Sequence, residues 1–138
     1  GAHEIDYVVN LTQLKEKNYT YVEEEMTSIA EICRRKKVIS KVIFENCYLT
    51  REEKLALCKI AREVKPDFIK TSTGFGTGGA TFEDVELMKN AVGADVEGKA
   101  AGGIRSLETT LRMIDLGVSR IGSTASVGIV EELKKAGI

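Results

Sequence analysis

Short runs of apolar and β-branched residues alternate along this chain with longer stretches whose apolar positions recur every three or four residues. Glu4–Asn10, Glu-Ile-Asp-Tyr-Val-Val-Asn, reads as a strand. Over Tyr21–Arg35, Val22, Met26, Ile29, Ala30 and Cys33 share one stripe, and the Glu-rich start suits the positive end of a helix dipole. Ser40–Glu45 predicts a second strand, with Lys41, Ile43 and Glu45 on one face and Val42 and Phe44 on the other. Thr50 and Glu53 have capping-box spacing for a helix that runs to about Val64. Pro66 then marks the loop into a third strand, Asp67–Thr71.

The second half repeats the rhythm. Thr81 caps a helix through about Val92, with Val85, Met88 and Val92 facing inward and Gly93 as its stop. Asp95–Ala101 is expected as a fourth strand, weakened by Gly98 in its middle. Ser106 caps Leu107–Leu116, Gly117 ends that helix, and Ser119–Gly122 forms a short fifth strand. Thr124 then opens a last helix to about Lys135. Five βα units, each with room for a crossover helix, predict an α/β fold with a parallel sheet. No linker or low-complexity segment divides residues 1–138, so a single domain is expected.

Composition narrows the classes. A chain of 138 residues can bury a real core but is small for an eight-unit barrel, which typically needs about 250. With 43% hydrophobic and 30% charged residues it is globular in composition. Twenty basic and 21 acidic residues leave a net charge of −1, which argues against a nucleic-acid or anionic-membrane surface. No apolar run approaches membrane-spanning length and no signal-peptide pattern opens the chain. Cys33, Cys47 and Cys58 are odd in number and lack metal-ligand spacing, so reduced thiols in a cytoplasmic setting are expected. The single His3 cannot build a histidine metal site, and a polar surface position is its expected fate.

The chemistry concentrates in Phe68–Gly79, Phe-Ile-Lys-Thr-Ser-Thr-Gly-Phe-Gly-Thr-Gly-Gly. Lys70 stands at the C-terminal end of a strand above a Gly-rich loop, where α/β proteins gather ligands. A lysine kept from water or near a second cation loses basicity, and its neutral amine can attack a carbonyl to give a Schiff base. Thr71, Ser72 and Thr73 could orient a hydroxylated substrate, and the glycines let backbone N–H groups approach an anion. The plain alternative is a strand-to-helix loop with an exposed lysine. Lys99-Ala-Ala-Gly-Gly-Ile-Arg puts a second lysine at a strand end, with Gly102 and Gly103 before a helix start that could hold phosphate. Ile121-Gly-Ser-Thr repeats the arrangement, with Thr124 at a helix N-terminus. Read singly, each is also an ordinary βα turn. Asp6 sits mid-strand among apolar residues, where a carboxylate needs a partner; pairing with a buried lysine and proton transfer both fit.

These stretches carry a resemblance. Glu-Ile-Asp-Tyr-Val-Val-Asn, Lys41-Val-Ile-Phe-Glu with Cys47-Tyr-Leu-Thr, Phe68–Gly79, Lys99–Arg105 and Arg120-Ile-Gly-Ser resemble deoxyribose-phosphate aldolase, a class I aldolase family with a TIM-barrel fold. The resemblance implies Lys70 as the Schiff-base lysine, Lys99 as the neighbour that lowers its pKa, and Asp6 as the carboxylate of a proton relay. It implies phosphate binding by Gly102, Gly103, Gly122, Ser123 and Thr124, with Gly74 and Phe75 at the pocket edge. The implied reaction is reversible cleavage of 2-deoxyribose 5-phosphate to acetaldehyde and glyceraldehyde 3-phosphate, with no metal or organic cofactor.

The resemblance also implies departures. The family barrel would begin about three βα units before Gly1, which makes this a reduced, partial TIM-barrel-like sheet with open edges at Glu4–Asn10 and Ser119–Gly122. Closure into a smaller or rearranged sheet, completion by another chain and a partly stable fragment are the three solutions, and homo-oligomerisation is the one expected. Gly98 replaces a usually apolar residue, and Ala125 stands where some members carry a second serine. Besides an aldolase, a non-catalytic sugar-phosphate-binding module or an assembly protein without a competent site would fit the sequence. Intact Lys70, Lys99 and Asp6 favour the aldolase, because anion binding alone needs no carboxylate beside two lysines.

Overall fold

In the computed structural model, which describes residues Gly1–Ile138, every expected strand and helix forms. The first half runs β1 (Glu4–Val8), α1 (Leu11–Lys15), α2 (Tyr19–Lys36), β2 (Ile39–Ile43), a 3₁₀ turn (Asn46–Tyr48) and α3 (Arg51–Val64). The second runs β3 (Phe68–Lys70), α4 (Phe82–Val92), β4 (Glu97–Ala101), α5 (Leu107–Asp115), β5 (Arg120–Gly122) and α6 (Ser126–Lys135). Helix starts follow the capping chemistry. Thr50 and Glu53 close the capping box of α3, while Thr81 and Ser106 accept backbone N–H bonds from Asp84 and Thr109. Asn18 accepts from the Tyr21 N–H, so α2 begins two residues earlier than its apolar stripe suggests. The sequence pattern missed α1, which is too short for a periodic signal; Asn10 caps it and Leu14 anchors it in the core.

All neighbouring strands pair in parallel, in the sequential order β1-β2-β3-β4-β5. Sequential order matters because right-handed crossovers that never reverse put every helix on the same side of the sheet. This is the winding of a barrel wall. The helix side is apolar: Val9, Val42, Phe44 and Ile69 pack with Leu14, Val22, Met26, Leu57 and Met88 in one buried cluster. A smaller cluster of Val85, Ala100, Ile104, Met113 and Val118 sits under α4 and α5.

Strand alternation sends the other set of side chains to the opposite face. Aligned pairs are Asp6 with Lys41, Lys41 with Phe68, Lys70 with Lys99, and Lys99 with Arg120. One face is therefore a hydrocarbon core and the other a dense array of charges. β4 forms over Glu97–Ala101 with Gly98 inside it. A Cβ there would lie 2.9 Å from Lys89 Cδ and 3.2 Å from Val118 Cγ1, so neighbouring side chains already occupy the space that a side chain would have filled.

Candidate active site

The reactive-looking side chains come from strand positions of one register. Lys70 ends β3 and Lys99 is its aligned partner on β4, so the two stems rise side by side from strands about 4.8 Å apart. Both line an open cleft of about 380 Å³ above the C-terminal ends of β3, β4 and β5. Gly122 makes room for the second lysine, since a Cβ there would stand 3.2 Å from Lys99 Cε and 2.9 Å from Ala101 Cβ.

Asp6 joins them from below. Its Oδ2 accepts from Lys70 Nζ at 3.2 Å and its Oδ1 from Lys41 Nζ at 2.9 Å. Burial opposes its ionisation, but the two lysines outweigh that and hold its carboxyl below the ordinary range. Lys99 has no carboxylate partner. Burial, followed by the charges of Lys70 and Lys41, weakens its hold on its proton, with Asp6 opposing. Sequence reasoning expected Lys99 to be the cation that neutralises Lys70. The structure pairs Lys70 with Asp6 and sets Lys99 beside it in register, without a carboxylate of its own.

The rim is backbone-rich. Gly102 and Gly103 both take positive φ, +90° and +75°, a conformation that side chains rarely adopt, and both line the cleft. Opposite them stand Gly122, Ser123 and Thr124. The Ser123 hydroxyl donates to the Ile104 carbonyl and accepts from the Ala125 N–H at 2.9 Å, tying the two loops together. The last helix thus starts at Ser126 with Ala125 as its cap, later than the Thr124 start expected. No side chain caps it. Thr73 and Gly74 form the third wall. Buried Glu45, with φ +56°, holds that wall by accepting from the Thr73 N–H at 3.1 Å and from its hydroxyl at 2.5 Å.

Three expected substrate contacts lie elsewhere, Ser72 among them: it is buried, and its hydroxyl donates to Thr71 Oγ1 at 3.1 Å. Thr71 continues β3 with its side chain toward the helix side. Its buried hydroxyl donates to the Ala101 carbonyl and accepts from the Ala101 N–H, so it pins β3 to β4. Phe75 projects into solvent, 97% exposed, and does not line the cleft. Lys41, Glu45 and Arg105 were missed as site residues. Arg105 lines the cleft beyond Gly103, and a cation at the end of the Gly-Gly turn was the signal available for it. Lys41 had one too, as a charged residue aligned with apolar neighbours on β2.

The arrangement can therefore bring an amine, a second amine and a carboxylate to one end of a cleft whose other end offers glycine N–H groups and a guanidinium to an anion. No protein-family model matches the chain. It is 57% identical over 134 residues to a Lactobacillus acidophilus protein named deoxyribose-phosphate aldolase, covering 97% of this chain and 56% of that protein. A Thermococcus kodakarensis protein of the same name is 50% identical over 131 residues, covering 95% and 58%. Among solved structures, "QR15, an Aldolase" superposes with TM-score 0.88 at 43% identity, covering 99% of this chain and 61% of its own. The deoxyribose phosphate aldolase of Aeropyrum pernix, described as a tetramer, gives 0.85 at 27% identity, covering 99% and 57%. The chain spans between half and two thirds of the length of each of these relatives.

Proposed function

We propose that this chain, a homologue of deoxyribose-phosphate aldolases over nearly its whole length, supports class I aldol chemistry at the Lys70–Lys99 cleft. The observation that carries the reading is the aligned lysine pair with Asp6 hydrogen-bonded to Lys70, under a rim of glycine-rich loops. Two ammonium groups this close cannot both stay charged cheaply, so the pair gives up one proton more readily than two separate lysines would. A proton that leaves Lys70 can be carried by Lys99 or Asp6.

Neutral Lys70 adds to the C1 aldehyde of open-chain 2-deoxyribose 5-phosphate and water leaves, giving an iminium ion. A base at the cleft floor takes the C3 hydroxyl proton. The C2–C3 bond then breaks, its electron pair flows into the iminium, and glyceraldehyde 3-phosphate departs. Protonation of the enamine at C2, with Asp6 and Lys99 as the nearby proton carriers, regenerates an iminium that water hydrolyses to acetaldehyde. The Gly102–Gly103 turn, the Gly122–Thr124 loop and Arg105 would hold the phosphate, far enough from the reacting carbons to contribute orientation. A homo-oligomer belongs to the proposal: β1 and β5 are unpaired edges here, and the Aeropyrum pernix relative is tetrameric.

Treatment with acetaldehyde and borohydride, followed by peptide mapping, tests the reading. The expected result is a mass gain on Lys70 that is absent in Lys70→Ala. Label on Lys99 alone would reverse the roles of the two lysines, and no label on either would overturn the aldolase. Light scattering tests the assembly, and a monomer at working concentration refutes it.

A further inference from the structure

Beneath the two lysines lies a chain of alternating charges that ends on Asp6 and Lys70 and whose first members, Arg120, Glu4 and Lys41, have no part in the proposed reaction. Arg120 on β5 reaches across the concave face to Glu4 on β1: Nη2 donates to Oε1 at 2.9 Å and Nη1 donates to Oε2. Two-point pairing of this kind fixes direction as well as distance. Glu4 Oε2 also accepts from Lys41 Nζ at 3.3 Å, and Lys41 passes the contact on to Asp6 Oδ1 at 2.9 Å. Asp6 Oδ2 is left for Lys70. Phe68 supports the array, with the Arg120 guanidinium 4.3 Å and Lys41 Nζ 5.4 Å from its ring centre.

Burial shows which members need holding. The Lys41 side chain is 3% exposed, so its charge depends on carboxylate partners. Asp6 is about a third exposed, and lysine contacts rather than packing set its orientation. The lysine stem is flexible, and with Asp6 alone its ammonium could follow that carboxylate away from Lys70. Glu4 anchors it, and Arg120 anchors Glu4. Neither lines the cleft.

We propose that Glu4 and Arg120 are a positioning pair that acts through Lys41 to aim Asp6 at Lys70 and to balance the charge felt by the Lys70–Lys99 pair. This rests on the reading of Lys70 and Asp6 as reacting groups. The charged groups on the face of the two lysines are Asp6 from β1, Lys41 from β2, Arg120 from β5 and Arg105 at the cleft mouth, with Glu4 of β1 one contact further off on Lys41 and Arg120. Glu97 shares the face at the start of β4, and Glu45 stands behind Thr73. Glu4 is held at a pKa of about 2 by its Arg120 hydrogen bonds first, against burial, so it stays an anion through the working range.

The test compares Glu4→Gln, Arg120→Met, Arg120→Lys and the Glu4→Gln/Arg120→Met double variant with the unsubstituted protein, after circular dichroism has shown that each is folded. Two readouts are taken against pH, acetaldehyde–borohydride labelling of Lys70 and competitive acetylation of Lys70 and Lys99 by trace acetic anhydride, and steady-state cleavage of 2-deoxyribose 5-phosphate gives turnover and KM. Losing the anion in Glu4→Gln eases deprotonation and should lower both midpoints by about half a pH unit. Losing the cation in Arg120→Met should raise them by a similar amount. Arg120→Lys should keep the midpoint, because charge is retained, but slow turnover about tenfold through loss of the two-point contact. KM for the sugar phosphate should stay unchanged in all four. Midpoints that do not move, or losses that track the unfolded fraction alone, overturn the inference. If the unsubstituted protein takes no label at Lys70, the aldolase reading falls and the anhydride midpoints alone decide. Opposite shifts then uphold the charge link, and unmoved midpoints reject it.

Discussion

Replacing Asp6 with asparagine separates what the carboxylate does for the fold from what it does for proton transfer. The substitution keeps the shape and removes the carboxylate shared by Lys41 and Lys70, leaving Glu4 on Lys41 and Arg120. At the 2.9 Å contact and an effective dielectric near 20, the pair with Lys41 is worth at most about 6 kcal/mol. Asp6 is 35% exposed, and an asparagine oxygen can still accept from Lys41, so screening and the retained bond bring the expected loss to about 1.5–2.5 kcal/mol. For a domain of this size that is a fall in Tm of roughly 4–10 °C. The chemical effect should be larger and of another kind. Imine formation at Lys70 should survive, since one more proton acceptor has gone but the amine remains. Exchange of acetaldehyde methyl hydrogens with deuterated water should slow by about 10²–10⁴-fold, the usual contribution of a positioned acid or base. Thermal melts at pH 7, borohydride trapping and proton NMR of the exchange measure the three. Exchange at the unsubstituted rate in a protein that still traps the imine would refute Asp6 as a proton carrier, and an unshifted Tm would refute the ion pairs as supports.

Two further outcomes follow from particular contacts. In Gly79→Ala the new Cβ would meet the Gly102 carbonyl oxygen at 2.3 Å and its carbon at 2.5 Å, both backbone, while Ala80 N–H is bonded to Ala101 and Gly102. A loss of about 2–3 kcal/mol and a raised KM for phosphate-bearing substrates are expected. Gly98→Ala, which meets only the flexible Lys89 stem and Val118, should stay within about 1 kcal/mol in the same denaturation assay. Acid should weaken the fold over a defined window. Glu4 ordinarily titrates near 4.5 and in the folded chain near 2, so its contribution is complete above about pH 4.5 and is lost as pH falls toward 2. Asp6, lowered in the same direction, acts with it. A urea midpoint that is flat between pH 5 and 2.5, or that falls equally in Glu4→Gln, would contradict this.

The order of elements was legible because each rests on local chemistry. The Thr50–Glu53 box, the Thr81 and Ser106 caps and the apolar stripes of α2 and α4 act within a few residues of themselves. Motif spacing likewise marked Lys70, Lys99 and the Gly102–Gly103 turn as cleft residues. Asp6 beside Lys70 is a contact across 64 positions, and Arg120 with Glu4 one across 116. Such pairings depend on strand order, register and the curl of the sheet, which no local pattern encodes. The same cause explains Thr71 and Phe75. Strand alternation turned one hydroxyl into the seam between β3 and β4, and a loop carried one ring into solvent, although both sit within six residues of the lysine. Which groups could form helices and strands was decided by neighbours along the chain; which charges meet was decided by neighbours across the sheet.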